Sequence, residues 1–133
     1  MKEVTYSSTR GEGVKYTASM AVLKGLASDG GLFVPDHIPS LDKTLAELAE
    51  MDYQNLAYEV MKLFLTDYTE EELRNCIANA YDSKFDTPEI APLSESCGSY
   101  YLELWHGATI AFKDTTCDSP PERTVTILYV LIE

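Results

Sequence analysis

Basic residues are scarce in this chain: 10 lysines and arginines stand against 22 aspartates and glutamates, a formal charge of −12. A surface so poor in positive charge cannot displace the counterions of a phosphate backbone, which excludes nucleic acid as a partner. Anionic membrane surfaces are disfavoured for the same reason. Cysteines are few as well. Cys76, Cys97 and Cys117 show no CxxC or CxxH spacing, so neither a disulfide framework nor a structural metal site is expected. No apolar run approaches the about 18 residues of a membrane-spanning helix, and the opening MKEVTYSSTRGEG lacks the apolar core of an export signal. The expected setting is reducing and cytoplasmic. Internal repeats and low-complexity stretches are absent too. What is present is a chain that is 45% hydrophobic, enough for a core. Its 133 residues suit one domain or a piece of something larger.

Residues 4–6, Val-Thr-Tyr, favour a first strand. A polar loop follows at residues 7–13, where Arg10 either binds an anion through its forked guanidinium or, more simply, pairs locally. Gly11-Glu12-Gly13 lacks the third glycine of a dinucleotide fingerprint. Thr17 is placed to cap a helix running to about Ser28, with Ala18, Ala21, Val22, Gly25 and Leu26 on one apolar stripe. Asp29-Gly30-Gly31 should stop it, and Leu32-Phe33-Val34 should form a short buried strand closed by Pro35. His37 reads as solvated. Residues 41–51 predict a short helix with Leu45, Leu48 and Ala49 facing inward. Asp52 starts another, bearing Leu56, Ala57, Val60, Met61 and Phe64 at helical spacing. Thr69 and Glu72 form a capping box for a fourth helix carrying Leu73, Cys76, Ile77, Ala80 and Tyr81. After a linker at residues 83–88, strands are expected at residues 90–93 and 100–105, antiparallel about a turn containing Gly98. The fold class is therefore α+β, a mainly helical layer on a small sheet.

The stretch YYLELWHGATIAFKD, residues 100–114, reads as a strand, a glycine loop and the first turn of a helix. A helix over residues 108–114 would set the Thr109 hydroxyl and the Lys113 amine on one face. Loop ends on a rigid scaffold commonly present reactive groups. From spacing alone Lys113 remains an ordinary solvated lysine.

LELWHGATIAFKD, residues 102–114, resembles the cofactor-lysine segment of threonine synthases, whose pattern runs close to LEL-aromatic-HG-x-T-x-AFKD. YSSTRG at residues 6–11 and DGGLFVP at residues 29–35 resemble the opening segments of the same family, in the same order. The resemblance covers residues 1–114. It implies an N-terminal domain over residues 1–93 and, over residues 94–114, the start of a fold type II α/β catalytic domain that is cut short. It implies that Lys113 is both the catalytic and the cofactor-binding residue, holding pyridoxal 5'-phosphate. The implied reaction is conversion of O-phosphohomoserine and water to L-threonine and phosphate. Thr109 is the implied neighbour of substrate or cofactor, with a helix cap as its equal alternative. His106 either turns the loop or contacts a phosphate, and Asp114 either orients Lys113 or favours a helix N-terminus.

Residues 115–133, TTCDSPPERTVTILYVLIE, leave the family pattern. Pro120-Pro121 cannot extend a helix, and the run from Val125 to Ile132 is strongly β-prone and uncharged. No glycine-rich phosphate cradle follows Lys113. The chain is accordingly expected to be an inactive N-terminal fragment of a lyase, with a non-catalytic folded interaction module as the alternative. Self-association through the C-terminal apolar run is a further expectation.

Overall fold

The computed structural model describes residues 3–116. The proline pair and the apolar run expected to form a strand lie outside these residues.

Helix ends fall where side-chain oxygens can satisfy the first free amides. Thr17 caps α1 (Ala18–Lys24), accepting from the Met20 amide. Thr44 and Glu47 close a capping box on α2 (Leu45–Ala49). Asp52 caps α3 (Tyr53–Phe64), its carboxylate 2.8 Å from the Asn55 amide. The Thr69–Glu72 capping box starts α4 (Glu70–Ala80) as expected. Two expectations fail. α1 ends at Gly25, with φ of 69°, before the Asp-Gly-Gly turn is reached. The helix expected over residues 41–51 shrinks to five residues, and only Leu48 turns inward; Leu45 is 84% exposed and Ala49 is exposed. A capped segment this short cannot present two apolar stripes to one neighbour.

α3 and α4 pack on each other and supply Met61, Leu73, Ile77 and Ala80 to one core, joined by Leu65 at the C-terminal cap of α3. Val4, Tyr6, Tyr16, Ala18 and Phe33 enter it from the N-terminal segment, and Tyr81, Phe85 and Ile90 from the segment after α4. Tyr81 crosses the Tyr53 ring edge-on at 4.9 Å. Buried Tyr6 donates its hydroxyl to the Phe64 carbonyl at 2.9 Å. Desolvation, followed by the charges of Asp67 and Asp36, pushes its pKa up to about 12.

Strand β1 (Tyr6–Ser8) pairs antiparallel with β2 (Phe33–Pro35), Tyr6 opposite Pro35 and Ser8 opposite Phe33. The first strand thus begins later than the residues 4–6 expected. This pairing brings the first two quoted motifs together. Asp29 Oδ1 accepts from Ser8 Oγ at 2.7 Å and from the Gly31 amide at 2.9 Å. A Cβ on Gly31 would stand 2.1 Å from Ser8 Oγ, so only glycine fits the corner. Arg10 takes the local alternative, donating to the Asp29 carbonyl at 2.9 Å. The architecture is α+β, with five helices and two separate two-stranded sheets among the described residues.

Candidate cofactor-lysine segment

The second sheet leads into the lysine segment. β3 (Leu93–Ser96) and β4 (Ser99–Leu102) form a hairpin about Cys97 and Gly98, whose φ values of 52° and 74° are those of a tight two-residue turn. The turn chemistry was foreseen at Gly98, but the first strand lies three residues later than residues 90–93. Ile90, with φ of 63°, is instead buried in the core. The aromatic run pairs antiparallel as expected over Tyr100–Leu102, but it is not buried. Tyr100 is 68% exposed and Trp105 49%, because among the described residues no further strand or layer covers this two-stranded ribbon.

Beyond β4 the chain is pinned by His106. Its Nδ1 stands 2.5 Å from Asp86 Oδ1 and its Nε2 2.8 Å from Glu103 Oε2. The Asp86 amide returns a bond to the His106 carbonyl at 3.0 Å. The two carboxylates, Glu103 foremost, raise the histidine pKa, and the histidine in turn holds Glu103 below its ordinary value. His106 therefore turns the loop and ties it to the linker after α4. Asp86 carries no sequence signal for this role, since its pairing spans 20 residues, whereas Glu103 lies only three residues from the histidine.

Residues 107–114 close into a ring around Asp114, which is 2% exposed. Its carboxylate accepts from the Thr109 amide at 2.6 Å and from the Thr109 hydroxyl at 2.5 Å. A Cβ on Gly107 would come within 2.3 Å of Asp114 Cβ, so the glycine gives the carboxylate room. The helix expected over residues 108–114 is replaced by turns, and Ile110 adopts φ of 56°. α5 (Lys113–Thr116) begins only at Lys113. Thr109 and Lys113 thus do not share a helix face, and the Thr109 hydroxyl is engaged with Asp114. Tyr81 anchors the ring to the core, donating its buried hydroxyl to the Thr115 carbonyl at 3.1 Å.

A phosphate-bearing cofactor needs free amides or cations around it. Four amides of this segment are already spent: Thr109 on Asp114, Ile110 on Gly107, Asp114 on Ala111 and Thr115 on Phe112. A buried carboxylate beside them repels an anion. The described residues therefore do not make a pyridoxal phosphate cradle; they form a lysine-bearing loop in which these four amides are closed off.

The family model described as "Threonine synthase N terminus" matches residues 5–81, more than half of the chain. The chain belongs to the threonine synthase N-terminal family. That match contains the two paired opening motifs and stops before the lysine segment. A threonine synthase of Schizosaccharomyces pombe is 42% identical over 116 residues, covering 84% of this chain and 22% of its own. Human threonine synthase-like 2 is 40% identical over 113 residues, covering 82% of this chain and 23% of its own. The crystal structure of yeast threonine synthase superimposes with a TM-score of 0.74 at 33% identity, covering 83% of this chain and 23% of that one. A pyridoxal-phosphate-bound threonine synthase from Brucella melitensis gives 0.73 at 32% identity, covering 84% and 25%. The chain spans less than a quarter of the length of these curated relatives. Among the described residues no helix is long and apolar enough to cross a membrane.

Proposed function

We propose that this chain is the N-terminal part of a pyridoxal-phosphate-dependent threonine synthase. Residues 1–93 form its N-terminal domain, and residues 94–114 open its catalytic domain. The whole enzyme is a lyase of threonine biosynthesis that converts O-phosphohomoserine and water to L-threonine and phosphate. Lys113 carries the cofactor, which when bound supplies an electron sink at the substrate carbons. The observation that carries this reading is the segment LELWHGATIAFKD, which matches the family's lysine pattern and follows an N-terminal domain of that family.

In this reading Thr109 shapes the lysine loop through Asp114, and any contact with substrate would require that bond to open. The 133-residue chain by itself is expected neither to hold the cofactor tightly nor to make threonine, because four amides of the described lysine segment are already bonded within it. The cellular setting in this reading is the cytoplasm.

The test grafts residues 1–116 onto the remaining sequence of a related threonine synthase, then reduces the cofactor complex with borohydride and maps the label. The label is expected on Lys113, and Lys113→Ala should lose both label and threonine production. A label on Lys24, Lys43, Lys62 or Lys84 refutes the assignment. The isolated chain should show no saturable micromolar binding of pyridoxal phosphate. A non-catalytic interaction module is the second reading, favoured by the exposed hairpin and by relatives described as threonine synthase-like.

A further inference from the structure

Tyr81 closes α4 as its C-cap residue and is buried. Its main chain is held from both long helices. The Tyr81 amide donates to the Ile77 carbonyl at 2.9 Å, and its carbonyl accepts from Gln54 Nε2 at 2.6 Å. Its ring lies against Tyr53 at 4.9 Å and Phe85 at 6.2 Å. A ring packed on two others has its hydroxyl direction fixed, because only two side-chain torsions set it. That hydroxyl reaches 34 residues along the chain to the Thr115 carbonyl, at 3.1 Å. Buried Thr115 in turn donates from its amide and its hydroxyl to the Phe112 carbonyl, at 3.2 and 2.7 Å. Residues 112–115 are therefore one closed turn, and the backbone of Lys113 and Asp114 lies inside it.

We propose that Tyr81 is a positioning residue for Lys113: through its bond to Thr115, the N-terminal domain sets where the lysine-bearing turn lies. The inference rests on the reading of Lys113 as the cofactor lysine. The family model ends at residue 81, so this hydroxyl carries a contact from the last matched residue into the segment beyond it. Asp86 supplies a second tie through His106, but its side chain is largely exposed and its bond depends on charge. The Tyr81 bond is buried and joins a hydroxyl to a carbonyl, so water competes little for it. Removing the hydroxyl would leave the buried Thr115 carbonyl without this donor and let the turn shift. A displacement of about 1 Å at a reacting group can cost on the order of a hundredfold in rate.

Tyr81→Phe keeps the ring and removes the hydroxyl. Tyr6→Phe is the matched control, since Tyr6 also buries a hydroxyl on a backbone carbonyl, that of Phe64. In the full 133-residue chain, Tyr81→Phe should speed exchange of the Asp114 and Thr115 amides about tenfold, leaving α3 no looser than Tyr6→Phe does. Both variants are then made in the chimera of residues 1–116 with the remaining sequence of a related threonine synthase. There kcat is divided by the fraction of Lys113 that borohydride labels in a parallel sample. Tyr81→Phe should lower this kcat about tenfold or more with KM little changed, and Tyr6→Phe should leave it unchanged. A lower labelled fraction with turnover per labelled site intact makes Tyr81 merely structural and overturns the proposal. Equal loss in both variants overturns it too, because global stability then sets the rate. An unaltered chimera with no label on Lys113 refutes the enzyme reading and the proposal together. A labelled, active chimera indifferent to Tyr81→Phe overturns the proposal alone.

Discussion

The α3–α4 pair and the lysine segment are held in opposite ways. α3 and α4 contribute Met61, Leu73, Ile77 and Ala80 to a shared apolar core, so burial of area stabilises them. The segment after β3 leaves Tyr100, Tyr101, Leu102, Trp105, Ile110 and Phe112 exposed. Its order comes from directed polar contacts instead: Asp114 with Thr109, His106 with Asp86 and Glu103, and Tyr81 with the Thr115 carbonyl. An apolar core tolerates small shifts without losing its driving force. A polar clamp depends on geometry and charge state, so the two regions should fail under different insults.

The largest effect should come from Leu73→Ala. Its side chain is among the most deeply buried, and its loss should cost about 2–5 kcal/mol of global stability in denaturant unfolding. Gly107→Ala comes next. A methyl placed against Asp114 should cost about 1–3 kcal/mol, but mainly as faster exchange of the Thr109 and Ile110 amides while α4 stays protected. If instead α4 loosens equally, the two regions are one cooperative unit and the contrast fails. Thr69→Ala removes the α4 capping box and should cost about 1 kcal/mol, read as a lower unfolding midpoint with an unchanged slope.

The smallest effect should follow pH. The His106 pKa is raised above 6.5, so its contribution is complete below about 6.5 and is lost as pH rises through the raised value. Glu103 is held below 4.5, so its contribution is present above about 4.5 and is lost as pH falls through the lowered value. The clamp is therefore tightest between these limits. Exchange of the Asp86 amide, corrected for intrinsic rates, should be slowest in that window, and His106→Gln should flatten the profile. A flat profile in the unaltered chain would mean the histidine clamp carries no charge.

Local chemistry was legible at several places where a signal sits within four residues, though the Thr44–Glu47 box was missed. Thr17, Asp52 and the Thr69–Glu72 box mark helix starts because a capping oxygen must lie three residues from the amide it satisfies. The turn glycine at Gly98 was legible for the same reason. The inward positions of α4 were also read correctly at Leu73, Ile77 and Ala80. The candidate site was less so. The residues 100–105 look like an interior strand because their composition is apolar, yet composition cannot say whether another layer exists to cover them. Asp114 engages Thr109 five residues back through a turn at Ile110, where positive φ breaks the helical spacing assumed for residues 108–114.

The sequence by itself determined the starts of α1, α3 and α4, the α+β class and the family, since these rest on short-range spacing and on motifs contiguous in the chain. Only the tertiary structure decided that the two opening motifs form one corner through Asp29, Ser8 and Gly31, and that Asp86 and Tyr81 hold the lysine segment. Those contacts join residues 20 or more positions apart, apart from the Asp29–Gly31 bond. Nothing in one stretch of chain encodes which distant carboxylate or hydroxyl will arrive beside it; that follows only once the core has set the distances.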